Sequence, residues 1–251
     1  MRYIEGFVAA VPADNKEAYR KHAAAAAPLF GEFGATRLVE CWGDDVPEGK
    51  VNDFRSAVKA KEDEVVVFSW LEYPSKEARD AANQRIMSDP RMKDLGDMPF
   101  DGQRMIFAGF EPIVVQGGAP GGYVDGYLVP VPEDKRDAYR QVAEEAAAVF
   151  LDHGATRVVE AWGDDVPDGK VTDFKGAVLA EPGEKVVFSW VEWPSKEARA
   201  AGWEKVMADE RLKREDRQMP FDGKRMIYGG FAPILDVAGN LATQPAQAVP
   251  A

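Results

Sequence analysis

The sequence predicts an α+β fold made of two ferredoxin-like repeats that pack through their sheets. The segment ECWGDDVPEGKV at 40–51 returns 120 positions later as EAWGDDVPDGKV at 160–171. Each copy also places strand-like and helix-like segments in the order β-α-β-(β)-β-α-β, which is typical of the split βαβ motif. We therefore expect a first repeat at 1–114, a linker at 115–122, a second repeat at 123–237 and a disordered tail at 238–251.

Each copy begins with an apolar strand that stops at a proline, at 3–11 in the first copy and 123–131 in the second. A helix follows to about Phe33, because apolar residues recur at helical spacing. Pro28 lies inside this helix and should bend or end it, since proline cannot donate the backbone hydrogen bond. In the first copy, the remaining predicted elements are a strand at 36–43, a turn-rich loop at 44–53, a short strand at 54–60, a strand at 65–73, a helix that Ser75 caps and that runs to about Asp89, and a strand at 104–113.

The composition excludes several classes of protein. The net charge is −12, from 31 Lys and Arg against 43 Asp and Glu, which opposes binding to nucleic acid or to anionic membranes. The sequence has no apolar run long enough for a transmembrane helix and no signal peptide at its start. Cys41 is the single cysteine, so an internal disulfide is impossible and a cytoplasmic location is expected.

Differences between the copies exclude some shared mechanisms. The two histidines, His22 and His153, are replaced by Val142 and Phe33 in the opposite copy, and Cys41 has no cysteine counterpart. A mechanism common to both halves therefore uses neither histidine nor cysteine. His22 lies on an apolar helical face and is expected to be a packed core residue.

Candidate site residues come from the strands, where alternate residues share a face. One face of the sheet is expected to mix aromatic rings with carboxylates. The functional interpretation is a pocket with Trp42, Phe68 and Trp70 as walls and with Glu40 and Glu72 as polar contacts. A carboxylate beside aromatic rings is poorly solvated, which raises its pKa and suits it to acid–base catalysis.

The same interpretation applies to both copies. The candidate catalytic residues are Glu40 and Glu160. The candidate ligand-binding residues, with the arginines as anion contacts, are Arg37, Trp42, Trp70, Glu72, Arg104, Arg157, Trp162, Trp190, Glu192 and Arg225. The alternative is that these side chains form the contact between the halves, with the glutamates paired to arginines or backbone N–H groups.

We expect no bound metal and no cofactor. The loop from Asp44 to Asp53 carries several oxygen ligands that could hold Ca²⁺ or Mg²⁺, but its spacing matches no EF-hand, and Asp, Pro and Gly are ordinary turn residues. The sequence has no dinucleotide-binding, phosphate-binding or nucleophile-elbow motif.

Four motifs of the first copy, each with a close counterpart in the second, resemble the domain of unknown function 1428 family: YIEGFV, GATRLVECWGDDVPEGKV, VFSWLEYPSK and MPFDG. Members of that family are usually single-copy, so the resemblance implies a covalently joined pseudo-dimer. It also implies the dimeric α/β-barrel superfamily, in which two ferredoxin-like units pack sheet to sheet with helices outside. That superfamily includes cofactor-free monooxygenases of aromatic polyketides and quinols, haem-dependent enzymes and proteins with no known activity.

Two functions stay open at this point. The first is binding or transformation of a small aromatic or carbonyl-bearing molecule in a pocket on the sheet, without a bound cofactor. The second is a non-catalytic role in protein interaction or structure, and further oligomerisation is possible in both cases. Whether Glu40 faces an open cavity or a closed ion pair discriminates between them.

Overall fold

The computed structural model describes residues 2–213, 218–239 and 241. The strands are β1 (Tyr3–Pro12), β2 (Arg37–Asp45), β3 (Glu64–Tyr73), β4 (Ile106–Gly117), β5 (Tyr123–Pro132), β6 (Arg157–Asp165), β7 (Glu184–Trp193) and β8 (Ile227–Ala238). The helices are α1 (Lys16–Phe33), α2 (Phe54–Ala57), α3 (Lys76–Ser88), α4 (Arg91–Asp94), α5 (Arg136–Asp152), α6 (Phe174–Ala177) and α7 (Lys196–Ala208). We call the segment that contains β1 to β4 the first repeat and the segment that contains β5 to β8 the second repeat.

The eight strands form one closed antiparallel barrel in the order β1-β3-β2-β8-β5-β7-β6-β4. The mixed α+β fold is therefore confirmed. The expected packing of two separate sheets is replaced by edge pairing, because β2 hydrogen-bonds to β8 and β4 hydrogen-bonds to β6. Closure of this kind leaves no unpaired strand edge.

Alternate residues of every strand point into the barrel, and aromatic rings fill it. Phe68 and Phe188 stack across the interior with their ring centroids 4.4 Å apart. The ring centroids of Trp70 and Trp190 lie 4.5 Å apart, with the ring planes tilted by 30°. Burying such rings stabilises the fold most strongly of all side chains, so the interior is a packed core and not a binding space. The long helices α1, α3, α5 and α7 pack on the outer face.

One local expectation was wrong. The segment 54–60 is not a strand, because α2 starts there: Asp53 accepts a hydrogen bond from the Ser56 N–H, and the Ser56 hydroxyl contacts the Asp53 backbone in return. This capping box stabilises the helical start. Pro28 lies within α1 but does not end it, since the helix continues to Phe33.

The expected linker and tail are also partly ordered. Residues 115–117 of the predicted linker belong to β4, in which Gly117 pairs with Arg157 of the second repeat. Ala238, the first residue of the predicted tail, ends β8, and Leu241 is buried. The tail positions 240 and 242–251 lie outside the described residues.

Of the helices in the described ranges, none has the length and apolar character needed to cross a membrane.

Candidate functional site

A cavity of about 410 Å³ lies in the first repeat, between the outer face of the sheet and helices α1 and α3. Its lining is mostly apolar, with Phe7, Leu38 and Leu71 from the sheet and Phe30 and Ile86 from the helices. Four methionines complete much of the wall, namely Met87, Met92, Met98 and Met105. The volume and the apolar lining are those of a small-molecule site.

The polar groups of the cavity wall are few and carry no positive side chain of Lys or Arg. They belong to Glu5, Tyr19, His22, Glu40, Ser69 and Asn83. Since a buried anion needs a cation or several hydrogen-bond donors, this wall disfavours an anionic ligand.

Glu40 is the carboxyl group at the centre of this arrangement. It lies on β2 opposite Ser69 of β3, and the strand pairing places both side chains on the outer face. The Tyr19 hydroxyl donates to Glu40 Oε2 at 2.6 Å, and the Ser69 hydroxyl donates to the same oxygen. Burial raises the pKa of Glu40, although both hydrogen bonds oppose the rise. Within the described residues Oε1 accepts no hydrogen bond, so it remains available to a ligand.

Glu5 is a second buried carboxyl in the wall. Arg79 and Asn83 both donate to its Oε1 at 3.0 Å, and no donor among the described residues reaches Oε2. Burial raises the pKa of Glu5 against the opposing charge of Arg79. Glu5 lies two strands away from Glu40, and their partners on β3, Leu71 and Ser69, are two residues apart. The strand spacing and the rise per residue therefore put the two Cα atoms about 12 Å apart.

His22 also differs from expectation. It is half-buried and lines the cavity instead of packing in the core. Burial lowers its pKa, so the imidazole is neutral near pH 7.

The common face expected for the site residues does not exist. The strand register sets Glu40 opposite Ser69 and Val39 opposite Trp70. Glu40 and Trp42 therefore face the helices, whereas Phe68, Trp70 and Glu72 point into the barrel. The side-chain period of two fixes faces within a strand, but only the pairing register relates one strand to the next.

The buried charges at one end of the barrel form a closed network across the repeats. Arg37 donates two hydrogen bonds to Glu192, at 2.9 and 3.0 Å, and contacts Asp236 at 2.8 Å. Arg157 donates two to Glu72, at 2.6 and 3.1 Å. Although burial alone would raise the pKa of Glu72, the Arg157 hydrogen bond and charge hold it below its usual range. The alternative expectation of paired charges thus describes Glu72.

The remaining predicted site residues also lie apart from the cavity wall. Arg104 and Arg225 each form a bidentate pair, with Glu64 and Glu184 respectively. The indole rings of Trp42 and Trp162 are buried under the amine of Lys16 and the guanidinium of Arg136. Trp190 packs inside the barrel beside Trp70.

The second repeat differs from the first at the equivalent place. Glu160 accepts a hydrogen bond from Tyr139 at 2.7 Å, and burial raises the pKa of Glu160 to about 7. Trp203 stands where the first repeat has Asn83, and its indole N–H donates to Asp125 at 2.7 Å. The ring packs against Phe150, with the centroids 5.2 Å apart.

The acidic loop motif joins the repeats. Asp44 accepts hydrogen bonds from Tyr123 and Lys196, and Asp45 pairs with Arg199. The second copy makes the equivalent contacts, in which Tyr3 and Lys76 reach Asp164 and Arg79 reaches Asp165. In the described part of the chain, no group of three or more His, Cys, Asp and Glu side chains could hold a metal ion.

Sequence reasoning missed Glu5, Tyr19, Ser69 and Asn83 as parts of the cavity wall. One signal was present: Asn83 against Trp203 is a large change in volume between the two copies of the same helix. Tyr19 and Ser69 carried no such signal, since Tyr139 and Ser189 repeat them.

Comparisons with known proteins agree on family and fold. Residues 2–102 and 122–223 each match the family model described as "Protein of unknown function (DUF1428)". The "Uncharacterized protein YbaA" of Escherichia coli (strain K12) is 71% identical over 115 residues, which cover 45% of this chain and 98% of that protein.

Two solved structures share the fold. One is an anthrone oxidase-like protein, with 10% identity and a TM-score of 0.56 over 97% of this chain and 94% of that chain. The other is described as "putative monooxygenase from Lactobacillus acidophilus NCFM", with 10% identity and a TM-score of 0.57 over 99% of both chains. At this identity the likeness is one of fold alone.

Proposed function

The chain belongs to the DUF1428 family of proteins of unknown function, and from that premise we propose that its first repeat binds a small, mainly apolar molecule and exchanges a proton with it through Glu40. The observation that carries this proposal is a buried carboxyl group with one free oxygen in the wall of an apolar cavity.

The apolar wall supplies the affinity for such a ligand. Burial of apolar surface contributes roughly 25 cal/mol per Å², and the aromatic rings of Phe7, Phe30 and Phe100 favour a planar partner. The few polar groups then fix the orientation of the ligand.

Glu40 supplies the chemistry. A carboxyl whose pKa burial raises above its usual value is protonated more readily and can then donate to a carbonyl oxygen of the ligand, or in its ionised form it can accept a proton from a hydroxyl. Tyr19 and Ser69 hold Oε2 in place, which directs Oε1 to the ligand. A small aromatic or carbonyl-bearing molecule, bound without a cofactor, fits this arrangement.

The charged groups around the cavity restrict the charge that the ligand can carry. The predicted anion contacts are paired with carboxylates of the protein and are therefore not available to an anionic ligand; they are Arg37, Arg104, Arg157 and Arg225. We expect a neutral or positively charged ligand. The descriptions of the two fold neighbours, anthrone oxidase-like and monooxygenase, are compatible with an aromatic substrate but rest on fold alone.

The two repeats are proposed to take the places of two subunits of a single-copy relative. The 115 residues aligned with YbaA correspond to one repeat and to 98% of that protein. The two junctions between the repeats, β2 with β8 and β4 with β6, are also equivalent to one another. Such equivalence is the mark of a two-fold interface.

The test begins with thermal melts of the protein in the presence of neutral quinols, carbonyl compounds, aromatic amines and aromatic acids. A ligand at a hundred times its Kd should stabilise the protein by about 2.7 kcal/mol, which raises the Tm by several degrees. Neutral compounds or amines should be the ones that shift the Tm. A panel without any shift would favour the role in protein interaction instead.

For any compound that binds, Glu40→Gln is compared with Glu48→Gln, which makes the same chemical change at an exposed loop position. Glu40→Gln should weaken binding about tenfold, as expected for the loss of a hydrogen bond to a charged group. It should also remove the dependence of binding on pH above 4.5 that Glu40 contributes, because the amide cannot titrate. Glu48→Gln should leave both unchanged. Wild-type affinity and pH dependence in Glu40→Gln would show that Glu40 does not act on the ligand.

A further inference from the structure

The two repeats differ most clearly at one helical position that borders the cavity. Asn83 on α3 donates to Glu5 Oε1, whereas its counterpart Trp203 on α7 donates through its indole N–H to Asp125 Oδ2. Asp125 is the counterpart of Glu5. Both pairs therefore join the same two positions, but one uses a small amide and the other a bicyclic ring.

Positions next to Trp203 also differ between the two repeats. Tyr73 becomes Trp193, which also donates to Asp125 Oδ2, at 2.9 Å. Ala82 becomes Gly202, where an added Cβ would lie 2.7 Å from Trp193 Cη2. These replacements fit the second repeat around two indole rings.

The carboxylates of Glu5 and Asp125 differ in the hydrogen bonds that their second oxygen accepts. In each repeat one carboxylate oxygen faces an arginine, Arg79 or Arg199. The other oxygen of Asp125 accepts two indole N–H groups, whereas Glu5 Oε2 accepts no hydrogen bond from the described residues. Among the described residues, the buried Tyr73 hydroxyl also has no hydrogen-bond partner.

The ring of Trp203 lies among counterparts of cavity-lining residues. Phe150, which it contacts, corresponds to Phe30 of the cavity wall. Tyr127, Phe221 and Met226, the counterparts of the cavity-lining Phe7, Phe100 and Met105, pack against the same buried cluster as Trp203 does. The second repeat thus holds an indole at a position that lines the cavity in the first repeat.

We propose that the cavity of the first repeat binds an aromatic ring system that bears an N–H or O–H donor, that this donor is directed at Glu5 Oε2, and that each chain binds one such molecule. The inference rests on the proposed function, because it uses the same cavity. The indole of Trp203 shows the chemistry that the protein itself places against this carboxylate.

The size of the cavity and its second carboxyl agree with this ligand class. Its volume of about 410 Å³ exceeds what one indole fills, so the natural ligand extends beyond the ring toward Glu40. A molecule that donates to Glu5 at one end and meets Glu40 at the other spans the roughly 12 Å between their backbones, less the reach of two side chains.

The first experiment is calorimetric titration of the full chain with indole and with benzofuran, which has the same ring shape and no N–H donor. Indole should bind at one site per chain, and benzofuran should bind about tenfold more weakly, as expected for the loss of one hydrogen bond to a charged acceptor. Equal affinities would overturn the role of the donor while leaving the cavity as a binding site.

The second experiment moves the ring between repeats. Asn83→Trp should abolish indole binding, whereas Asn83→Ala, which keeps the cavity open, should still bind indole, although more weakly than the wild type because the Asn83 hydrogen bond to Glu5 is lost. Trp203→Asn should raise the number of indole molecules bound per chain to two. Trp203→Leu fills less of the space than tryptophan but keeps an apolar side chain there, so it should bind indole in the first repeat only. Thermal melts verify that each variant is folded, and the comparison of indole with benzofuran needs no variant at all.

The outcomes separate this inference from the proposed function. Undiminished indole binding by folded Asn83→Trp would overturn the placement of the ring. Binding of other neutral compounds but of neither bicyclic probe would overturn the ligand class and spare the function of the cavity. A wild-type protein that binds no compound of either set would overturn both.

Discussion

At the scale of single residues, Glu40 and Glu160 show how one residue type acquires different surroundings. Both lie on the outer face of their strand and accept a hydrogen bond from the tyrosine of the preceding helix. Glu40 opens on a cavity, whereas the second repeat places Trp203 in the corresponding region. The sequence therefore identified a pair of equivalent carboxyls, and the packing around them made the pair unequal.

Glu160 should make the stability of the protein depend on pH. Its pKa is raised from 4.5 to about 7 by burial, so the folded state holds a proton that the unfolded state releases. The resulting stability is fully present below pH 4.5 and is lost as the pH rises through about 7. This loss should be on the order of 3 kcal/mol.

The measurement is the free energy of unfolding in urea at several pH values from 4.5 to 8. Glu160→Gln should flatten the fall, because an amide does not titrate and still accepts the Tyr139 hydrogen bond. Glu48→Gln serves as the control and should keep the wild-type slope. An unaltered slope in Glu160→Gln would mean that another group titrates in this window.

At the scale of elements, α3 and α7 begin identically and then diverge. Ser75 and Ser195 cap the two helices in the same way, each accepting a hydrogen bond from the backbone three residues on. The change from Ala82 to Gly202 then admits the ring of Trp193 against the helix. Local sequence thus fixes where both helices start, but packing partners decide what their inner faces do.

Gly202→Ala should destabilise the protein by about 1–3 kcal/mol, as overpacking of a core does. The added methyl would meet Trp193 Cη2 at 2.7 Å and the His153 carbonyl oxygen at 3.0 Å. Urea unfolding measures the change. The double variant with Trp193→Tyr, which restores the ring of the first repeat, should recover part of the loss. Additive losses in the double variant would contradict this account.

The short helix α2 shows a limit of local patterns. Its apolar residues Phe54 and Ala57 suggested a strand, yet the capping box of Asp53 and Ser56 starts a helix that buries both residues in the barrel core. The capping signal consists of only two residues, so the apolar residues around it favoured the wrong prediction of a strand.

At the scale of the whole molecule, charges hold the repeats in register. Arg157 and Glu72 are buried partners from opposite repeats, and Arg37 and Glu192 repeat the pairing. Two more exposed ion pairs also join the repeats, one between Asp44 and Lys196 and the other between Asp164 and Lys76. Each of these contacts thus has an equivalent in which the two repeats exchange roles.

Arg157→Met should cost about 3–5 kcal/mol, because it leaves the Glu72 carboxylate buried with only the longer contacts to Arg37, Arg2 and the Trp70 indole N–H. Arg140→Met, which breaks a solvent-exposed pair with Glu144, should cost less than about 1 kcal/mol. Thermal and urea unfolding of both variants provide the comparison. Similar losses for the two would show that the cross-repeat pair contributes no more than a surface contact.

The sequence by itself determined the duplicated unit, the order of the long elements, the α+β class and the family. It also determined which residues of one strand share a face, because the side-chain period of a strand is two. The tertiary structure alone decided how those faces combine. It put Glu40 on the helix side and Trp70 inside the barrel, since hydrogen-bond register between strands is a long-range property that no single segment encodes. It likewise decided that the cavity lies in the first repeat, because a cavity depends on the volumes of side chains brought together from β1, β2, β3, α1 and α3.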